Sequence, residues 1–209
     1  MKGFLYKDLA LFRNLGKSYL FILAVFFVLT LLHIYPPVFM FMMLSLLIGM
    51  FPSTSFSYDE LAKWDRFAAS VPGGRKKVVQ GKYIFALLVA LGILATGLLL
   101  TLPLAFLSDE PPSRLLFSCV LSASGTLFLN AVMLPLLFHF GPQKGRLFVI
   151  VACAFTAAMV GVSLSIADMA FFGAEPSLLL ILFATLLLIL AILAISYRIS
   201  LHIYQKKEF

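Results

Sequence analysis

The sequence predicts an all-α polytopic membrane protein with six transmembrane helices. Apolar residues make up 62% of the 209 residues, charged residues only 12%, and the mean hydropathy is +1.07. A typical soluble domain is about half apolar and about a quarter charged. The charged residues also avoid long stretches of the chain, as a bilayer requires, because an ion in its core costs several kcal/mol. This composition excludes an ordinary soluble enzyme, a disordered chain and a secreted disulfide scaffold.

Six stretches are each close to the length of about 20 apolar residues that a membrane-spanning helix needs. They lie at residues 18–35, 37–56, 83–107, 115–140, 147–167 and 177–197, and none contains Asp, Glu, Lys or Arg. The first two stretches are separated only by Pro36 and Pro37. Proline lacks the N–H that a helix needs and clashes with the preceding turn, so we expect a tight helical hairpin there.

The basic residues predict the orientation of these spans. Fifteen of the 16 Lys and Arg residues fall in the segments 1–17, 57–82, 141–146 and 198–209, and only Arg114 falls on the opposite side. Loops rich in Lys and Arg stay in the cytoplasm. We therefore expect a multi-pass protein of the cell membrane with both termini in the cytoplasm. Orientation accounts for the net charge of +7, so the charge does not indicate a nucleic-acid partner.

The N-terminal segment 1–17 is predicted to be an amphipathic helix at the membrane surface. At 100° per residue, Phe and Leu residues occupy one half of the helix and most basic residues the other, with Asp8 as the exception on the apolar side. This pattern suits a helix in the headgroup layer. Two interpretations stay open, namely a topology anchor and an elbow helix that also contacts a cytoplasmic partner.

The segment 57–82 is predicted to contain a short cytoplasmic helix. Ser57 and Glu60 have the spacing of a capping box, and apolar residues including the only Trp, Trp64, then recur at three- and four-residue spacing. Pro72-Gly73-Gly74 is expected to end the helix. About 26 residues cannot form an independent core. The apolar face therefore rests either on the bilayer or in a groove of another protein.

The fourth span carries four polar residues at a constant spacing of four, namely Ser118, Ser122, Thr126 and Asn130. Such a row could line a substrate path, or it could let helices pack closely and hydrogen-bond to each other. Packing is the favoured interpretation. The chain contains neither a HExxH motif nor a phosphate-binding GxxxxGK[ST] loop, so we expect no catalytic residue, no metal site and no cofactor in this chain.

The loop after the second span contains a specific set of residues, together with the opening of the chain. They are Tyr58-Asp59-Glu60, Lys63-Trp64-Asp65-Arg66-Phe67, Ser70-Val71-Pro72, Arg75, Val78-Val79 and Gly81-Lys82-Tyr83, and the opening Leu5-Tyr6-Lys7-Asp8-Leu9. In these residues the sequence resembles the small six-span permease subunits of ABC-2 type transporters, the kind found in the phenol-soluble-modulin exporter of staphylococci. Length and span pattern agree over the whole chain, but only this loop is specific.

The resemblance implies a coupling helix in the segment 57–82 that sits in a cleft of a separate ABC ATPase subunit. It implies Trp64 and Phe67 as apolar anchors, and Tyr58, Asp59, Glu60, Asp65 and Arg66 as further contacts or caps. ATP and magnesium would bind to the ATPase dimer, and two permease chains, identical or related, would form the translocation route for the substrate. A bacterial membrane and export of an amphipathic or hydrophobic substrate, such as a peptide, are implied in the same way.

Two other classes of function compete with this interpretation. A substrate-capturing subunit of an energy-coupling-factor transporter would also have six spans and separate ATPases, but it would bind its ligand from outside, where the loops are short. A membrane-embedded enzyme would need converging polar residues at one membrane face, and the sequence does not supply such a set. The identity of the cargo and the choice between a homodimer and a heterodimer are not predicted.

Overall fold

The computed structural model describes residues 2–71, 73–107, 110–171 and 176–206, and every regular element within these ranges is an α-helix. The helices are α1 (Lys2–Leu31), α2 (Pro37–Gly49), α3 (Phe51–Leu61), α4 (Trp64–Ser70), α5 (Gly74–Leu107), α6 (Pro112–Phe171) and α7 (Pro176–Lys206). This agrees with the predicted all-α class.

Four helical stretches in the described ranges are long and apolar enough to cross a membrane, and the bent helix α1 makes a fifth if its halves count as one span. The four are Pro37–Leu61, Gly74–Leu107, Pro112–Gln143 and Thr185–Lys206. Six spans remain a prediction. The predicted fifth span, 147–167, and the start of the sixth, 177–197, fall partly on side chains outside the described residues, and Phe148–Ala158 is the apolar helical segment described there.

The predicted N-terminal helix and first span form one bent helix. Its halves, Leu5–Asn14 and Gly16–Leu31, meet at 52°. The chain then turns through His33, whose φ is 56°, and α2 begins with proline in its first turn, where the missing N–H has no intrahelical role. Phe26 packs against Phe39 with ring centroids 6.2 Å apart. The hairpin predicted at Pro36 and Pro37 is confirmed.

The helix that carries the second span has a break at Met50. Helix α3 restarts at Phe51 and continues to Leu61, five residues beyond the predicted end of the span at 56. The predicted capping box is also wrong, because Ser57 lies inside α3 and its Oγ donates to the carbonyl of Ser53 at 3.3 Å. No helix-breaking residue occurs between Pro52 and Leu61, so the helix continues past the apolar stretch.

Helix α5, which carries the predicted third span, begins at Gly74, nine residues before the predicted start of the span at Tyr83. The basic run Arg75-Lys76-Lys77 therefore lies within the first turns of α5 and not in a loop. Long basic side chains allow this, because their stems cover apolar surface while the charged ends reach the interface. The break before α5 was predicted from Pro72 and Gly73. Pro72 lies outside the described residues. Gly73 has a φ of +68°, a backbone conformation that is not helical.

Helix α6 consists of two helices joined at Gly141, whose φ of 74° and ψ of 168° are not helical. Contacts between the two halves show that the chain reverses there. The ring centroids of Phe140 and Phe148 are 4.7 Å apart, and those of Phe128 and Phe155 are 5.9 Å apart. The turn predicted at 141–146 is thus present, but only Gly141 leaves the helical conformation. Glycine adopts this positive φ without steric cost.

The first half of α6 forms the centre of the molecule. Helices α2, α3, α5 and α7 all pack against α6. One core cluster gathers Met133, Leu134, Leu137 and Phe138 of this half with Tyr204 of α7. Because α6 is central, it holds α3 and α5 in place, and these two helices in turn contact α4.

Candidate coupling segment

A short helix, α4, lies in the connection between the second and third spans. Lys63, in the left-handed backbone region at φ 50°, separates α3 from α4. The Oγ of Ser70 donates to the carbonyl of Phe67 at 2.8 Å and satisfies a group at the end of α4. At Gly74, a Cβ atom would lie 1.9 Å from the carbonyl oxygen of Ala68, so glycine is required for this close return into α5.

Two aromatic side chains lie on one face of α4. The rings of Trp64 and Phe67 have centroids 5.0 Å apart and are tilted by 45°. Phe67 is 55% exposed, whereas Trp64 is half-buried and its ring centroid lies 4.8 Å from the Nζ of Lys7. That distance is typical of a cation–π contact. The neighbouring Ala68 is fully buried in the core cluster that includes Val79, so α4 is anchored to α5 and still presents Phe67 outward.

Beside α4, four charged side chains from three helices form a buried group that we call the ion-pair cluster: Lys7, Asp8, Asp59 and Lys82. The Nζ of Lys82 lies 2.7 Å from Oδ2 of Asp59 and 3.1 Å from Oδ1 of Asp8. The Nζ of Lys7 pairs with Asp59 and lies 3.5 Å from Oδ1 of Asp8. Two cations balance two carboxylates, so the cluster has no net formal charge.

Two further side chains complete the surroundings of Lys82. The Oγ of Ser55 donates to Oδ1 of Asp8 at 2.5 Å, and the Nζ of Lys82 donates to the same Oγ at 2.5 Å. The Nζ of Lys82 also lies 4.9 Å from the ring centroid of Phe56. Lys82 is only 2% exposed. A charge buried to this extent requires paired and hydrogen-bonded partners, and Lys82 has both.

The ion-pair cluster joins α1, α3 and α5 at one point. Asp8 belongs to α1, Asp59 to α3 and Lys82 to α5. Lys7 extends the connection to α4 through its contact with Trp64. Removing one member of a buried ion pair leaves an uncompensated charge, so these helices cannot separate here without a large cost in free energy.

The structure places the seven predicted coupling residues in different environments. Asp59 is 6% exposed and belongs to the ion-pair cluster, so its carboxylate faces into the molecule. Tyr58 and Glu60, on the same turn of α3, are exposed. The side chains of Asp65 and Arg66 lie outside the described residues. Among the seven, the outward-facing aromatic residues are therefore Tyr58 and Phe67.

Sequence reasoning missed the ion-pair cluster, although one signal pointed to it. Asp8 was the only acidic residue on the apolar half of the N-terminal helix. In the structure it is only 2% exposed, and its carboxylate contacts Ser55 and Lys82. A charge that breaks an amphipathic pattern needs a partner. The pattern did not identify that partner, because Lys82 lies 74 residues away in the chain.

Segments that the charge pattern assigns to the cytoplasm meet at one end of the helix bundle. Lys7, in the N-terminal segment, pairs with Asp59 of the segment 57–82. A cavity of about 60 Å³ is lined by Asp59, by Gly141 at the reversal within α6 and by Tyr204 near the C-terminus. Each of the four basic segments thus contributes a residue that lies close to Asp59.

Comparison with protein families agrees with this architecture. A model of the ABC-2 family transporter proteins matches residues 3–205, which is nearly the whole chain. The chain belongs to the ABC-2 transporter family. Neither a curated protein nor a solved structure matches it. Family membership makes the chain a multi-pass membrane component of an ABC transporter.

In this ABC-2 family protein, the polar row of α6 contacts α2. The Oγ1 of Thr126 lies 3.0 Å from the Oγ of Ser45, and the Nδ2 of Asn130 donates to the carbonyl of Gly49 at 3.3 Å. A Cβ at Gly49 would lie 3.3 Å from Cγ2 of Thr126, so the two helices approach closely at this glycine. Small and hydroxylated residues allow such contacts between membrane helices.

The other two members of the row bond within their own helix. The Oγ of Ser118 donates to the carbonyl of Arg114 at 2.8 Å, and the Oγ of Ser122 donates to that of Cys119 at 2.8 Å. All four row residues are buried within this one chain. These contacts support the packing interpretation over a substrate path.

A second polar site that sequence reasoning missed lies where α5, α6 and α7 meet. The hydroxyl of Tyr83 lies 2.5 Å from the Oγ of Ser196 and 2.8 Å from that of Ser200. The Oγ of Ser196 also donates to the carbonyl of Ala131 at 2.5 Å. The third span is therefore tied to the last helix as well as to the ion-pair cluster.

Proposed function

We propose that the chain is the permease subunit of an ATP-driven exporter, and that α4 is the coupling helix that docks into a separate ABC ATPase subunit. The observation that carries this proposal is Phe67. It is a 55% exposed aromatic side chain next to Ala68, which is buried in the core of the bundle. Aromatic residues that project from a helix are typical anchors of helix-in-groove docking.

The predicted coupling residues have different roles in the proposed docking. Phe67 is the apolar anchor, and Tyr58 and Glu60, which are exposed on the preceding helix, add further contacts. Trp64 supports Phe67 from the side of Lys7 and is only partly available to a partner. Asp59 holds α3 to α1 and α5 rather than contacting the ATPase. Asp65 and Arg66 complete the proposed contact set.

The contacts of α4 support a rigid transmission of force. Ala68 packs into the cluster of α5, and Trp64 contacts Lys7, which pairs with Asp59 at the end of the second span. A push on α4 would therefore reach the first three spans together. Well-packed helices respond to such a push by tilting as rigid bodies.

The remaining parts of the proposal follow from topology and from resemblance. The clustering of the basic segments at one end supports cytoplasmic termini in a bacterial cell membrane. ATP and magnesium bind to the ATPase dimer, and two permease chains, identical or related, form the route. The proposed cargo is an amphipathic or hydrophobic molecule such as a peptide, as the resemblance to the phenol-soluble-modulin exporter suggests.

The test is a pair of matched substitutions, Phe67→Ala and Phe106→Ala. Phe106 is 89% exposed near the opposite end of α5, so the control removes the same side chain far from α4. Each tagged variant is purified from its native membrane in mild detergent, and co-purified protein and ATP hydrolysis are measured. Removing an aromatic side chain that contributes about 2 kcal/mol to the binding free energy weakens binding roughly thirtyfold. The Phe67→Ala variant should therefore lose the co-purifying ATPase.

Two outcomes would contradict the proposal. One is purification of the unsubstituted protein with no ATPase. The other is equal recovery of ATPase with Phe67→Ala and with Phe106→Ala, which would leave α4 without a docking role.

A further inference from the structure

An apolar crevice of about 260 Å³ lies between α1 and α5. Both walls of the crevice are apolar apart from the hydroxyl groups of Tyr19 and Thr96. The lining includes Leu9, Phe12, Leu20 and Leu23 of α1 and Phe85, Leu88 and Ile93 of α5. Leu20 and Leu88 are exposed, so the crevice opens onto the surface of the bundle.

Two glycines keep the crevice empty, Gly16 on α1 and Gly92 on α5. Within the part of the chain that the structure describes, a Cβ atom at either position would meet no other atom within 4 Å. At Gly97, further along α5, a Cβ would lie 2.4 Å from the Sγ of Cys119, so that glycine serves close packing. Gly16 and Gly92 serve no such contact and instead widen the space between the helices.

A basic depression of about 610 Å³ adjoins the crevice and is lined by α1 alone. Leu9 lines both spaces, so they lie next to each other. Arg13, Asn14 and Lys17 provide the polar lining beside the 52° bend of α1. Lys7 on the same helix is balanced by Asp8 and Asp59.

By contrast, Arg13 and Lys17 are exposed and form no ion pair with any residue in the described ranges. An open pair of cations beside an apolar crevice is complementary to a molecule with an anionic head and a hydrocarbon chain.

We propose that the depression and the crevice together bind one anionic phospholipid, which goes beyond the proposed function and does not depend on it. The phosphate lies against Arg13 and Lys17, where the guanidinium group can donate two parallel hydrogen bonds. One acyl chain lies in the crevice along α5. From Leu88 to Thr96 the helix rises by about 12 Å, which accommodates the part of an acyl chain nearest the headgroup.

The experiment measures lipid retained by the purified chain with native mass spectrometry. The protein in detergent is incubated with dioleoyl phosphatidylglycerol, which is anionic, or with dioleoyl phosphatidylcholine, which is zwitterionic and has the same acyl chains. Each surface Lys or Arg favours anionic lipid by about fivefold. The unsubstituted protein should therefore retain one phosphatidylglycerol with about thirtyfold preference over phosphatidylcholine.

Three variants separate the two halves of the site. Arg13→Gln with Lys17→Gln should abolish the preference for phosphatidylglycerol and leave retention of phosphatidylcholine unchanged. Gly92→Leu fills the crevice and should reduce retention of both lipids. Gly161→Leu is the matched control, because a Cβ there meets no atom of the described residues within 4 Å and Gly161 lies on α6, outside the crevice. It should retain lipid as the unsubstituted protein does.

The proposal is overturned if the unsubstituted protein retains both lipids equally, or if Gly92→Leu and Gly161→Leu behave alike. It is also overturned if excess inorganic phosphate displaces the lipid completely, which would assign the cations to a free anion. Gly16→Leu fills the same crevice from α1 and replaces Gly92→Leu if that variant does not fold. Because ATPase co-purification is not measured, the outcome is independent of the docking of α4.

Discussion

Replacing Lys82 by methionine is the most direct test of the ion-pair cluster. Methionine keeps much of the apolar stem but removes the ammonium group, which lies 2.7 Å from Asp59, 3.1 Å from Asp8 and 2.5 Å from Ser55. Asp8 and Asp59 then share a single cation, Lys7. Breaking a buried ion pair from one side costs about 3–5 kcal/mol, because a buried charge is left uncompensated.

The assay is thermal unfolding of the purified protein in detergent. In a protein of this size, about 1 kcal/mol corresponds to a change of about 2–4 °C in Tm, so Lys82→Met should lower Tm by about 6–20 °C. Lys76→Met is the control, because Lys76 is an exposed residue on the same helix and a surface substitution changes stability by about 0.5 kcal/mol or less.

The double variant Lys82→Met with Asp8→Asn distinguishes charge from packing. Lys7 and Asp59 remain and balance each other, so the double variant should be more stable than Lys82→Met alone, although two charged groups are lost. Additive destabilisation by the two substitutions would refute the charge argument. A Tm for Lys82→Met within about 2 °C of the unsubstituted protein would refute the inference that the cluster holds the three helices together.

Two further predictions concern single contacts. Gly74→Ala should displace α4 and destabilise the protein by about 1–3 kcal/mol, since its Cβ would lie 1.9 Å from the Ala68 carbonyl oxygen; faster proteolysis between α3 and α5 measures this. Tyr83→Phe should destabilise by about 1 kcal/mol in the same thermal assay, since Ser196 and Ser200 lose a hydroxyl partner.

Each of these substitutions has a control in the same chain. Gly92→Ala introduces the same methyl group on α5 where nothing lies within 4 Å, and should leave proteolysis unchanged. Tyr6→Phe removes the hydroxyl group of an exposed tyrosine and should leave Tm unchanged. If Gly74→Ala is as resistant as Gly92→Ala, the close return at Gly74 is not required. If Tyr83→Phe and Tyr6→Phe have equal Tm values, the hydrogen bonds of the Tyr83 hydroxyl add no stability.

The turns of the fold were predictable because single residues determine them. Pro36 and Pro37 prevent one continuous helix and Pro37 begins α2, although α1 already ends at Leu31. Glycine at 141 permits a backbone conformation that other residues avoid. The helix ends at Leu61 and Gly74, which lie beyond the predicted span bounds at 56 and 83, were not predictable from hydropathy. A helix does not end where its apolar stretch ends, and both α3 and α5 continue through polar and charged residues.

The candidate site was predictable only in part. The aromatic pair of α4 stood out because the segment contains the only Trp. The Ser57–Glu60 spacing was misleading, because a Ser followed three residues later by Glu also occurs inside helices, where the Ser bonds back to the preceding turn. The partner of Asp59 could not be read from neighbouring positions, since it comes from α5 and α1.

The ion-pair cluster also sets an order for assembly during synthesis. Asp8 is made first, and Lys82 follows 74 residues later. At about 5–20 residues per second the ribosome needs roughly 4–15 s to supply this partner. During that interval Asp8 and Asp59 have only Lys7 as a countercharge. The first three spans can therefore reach their final arrangement at this point only after Lys82 has been made.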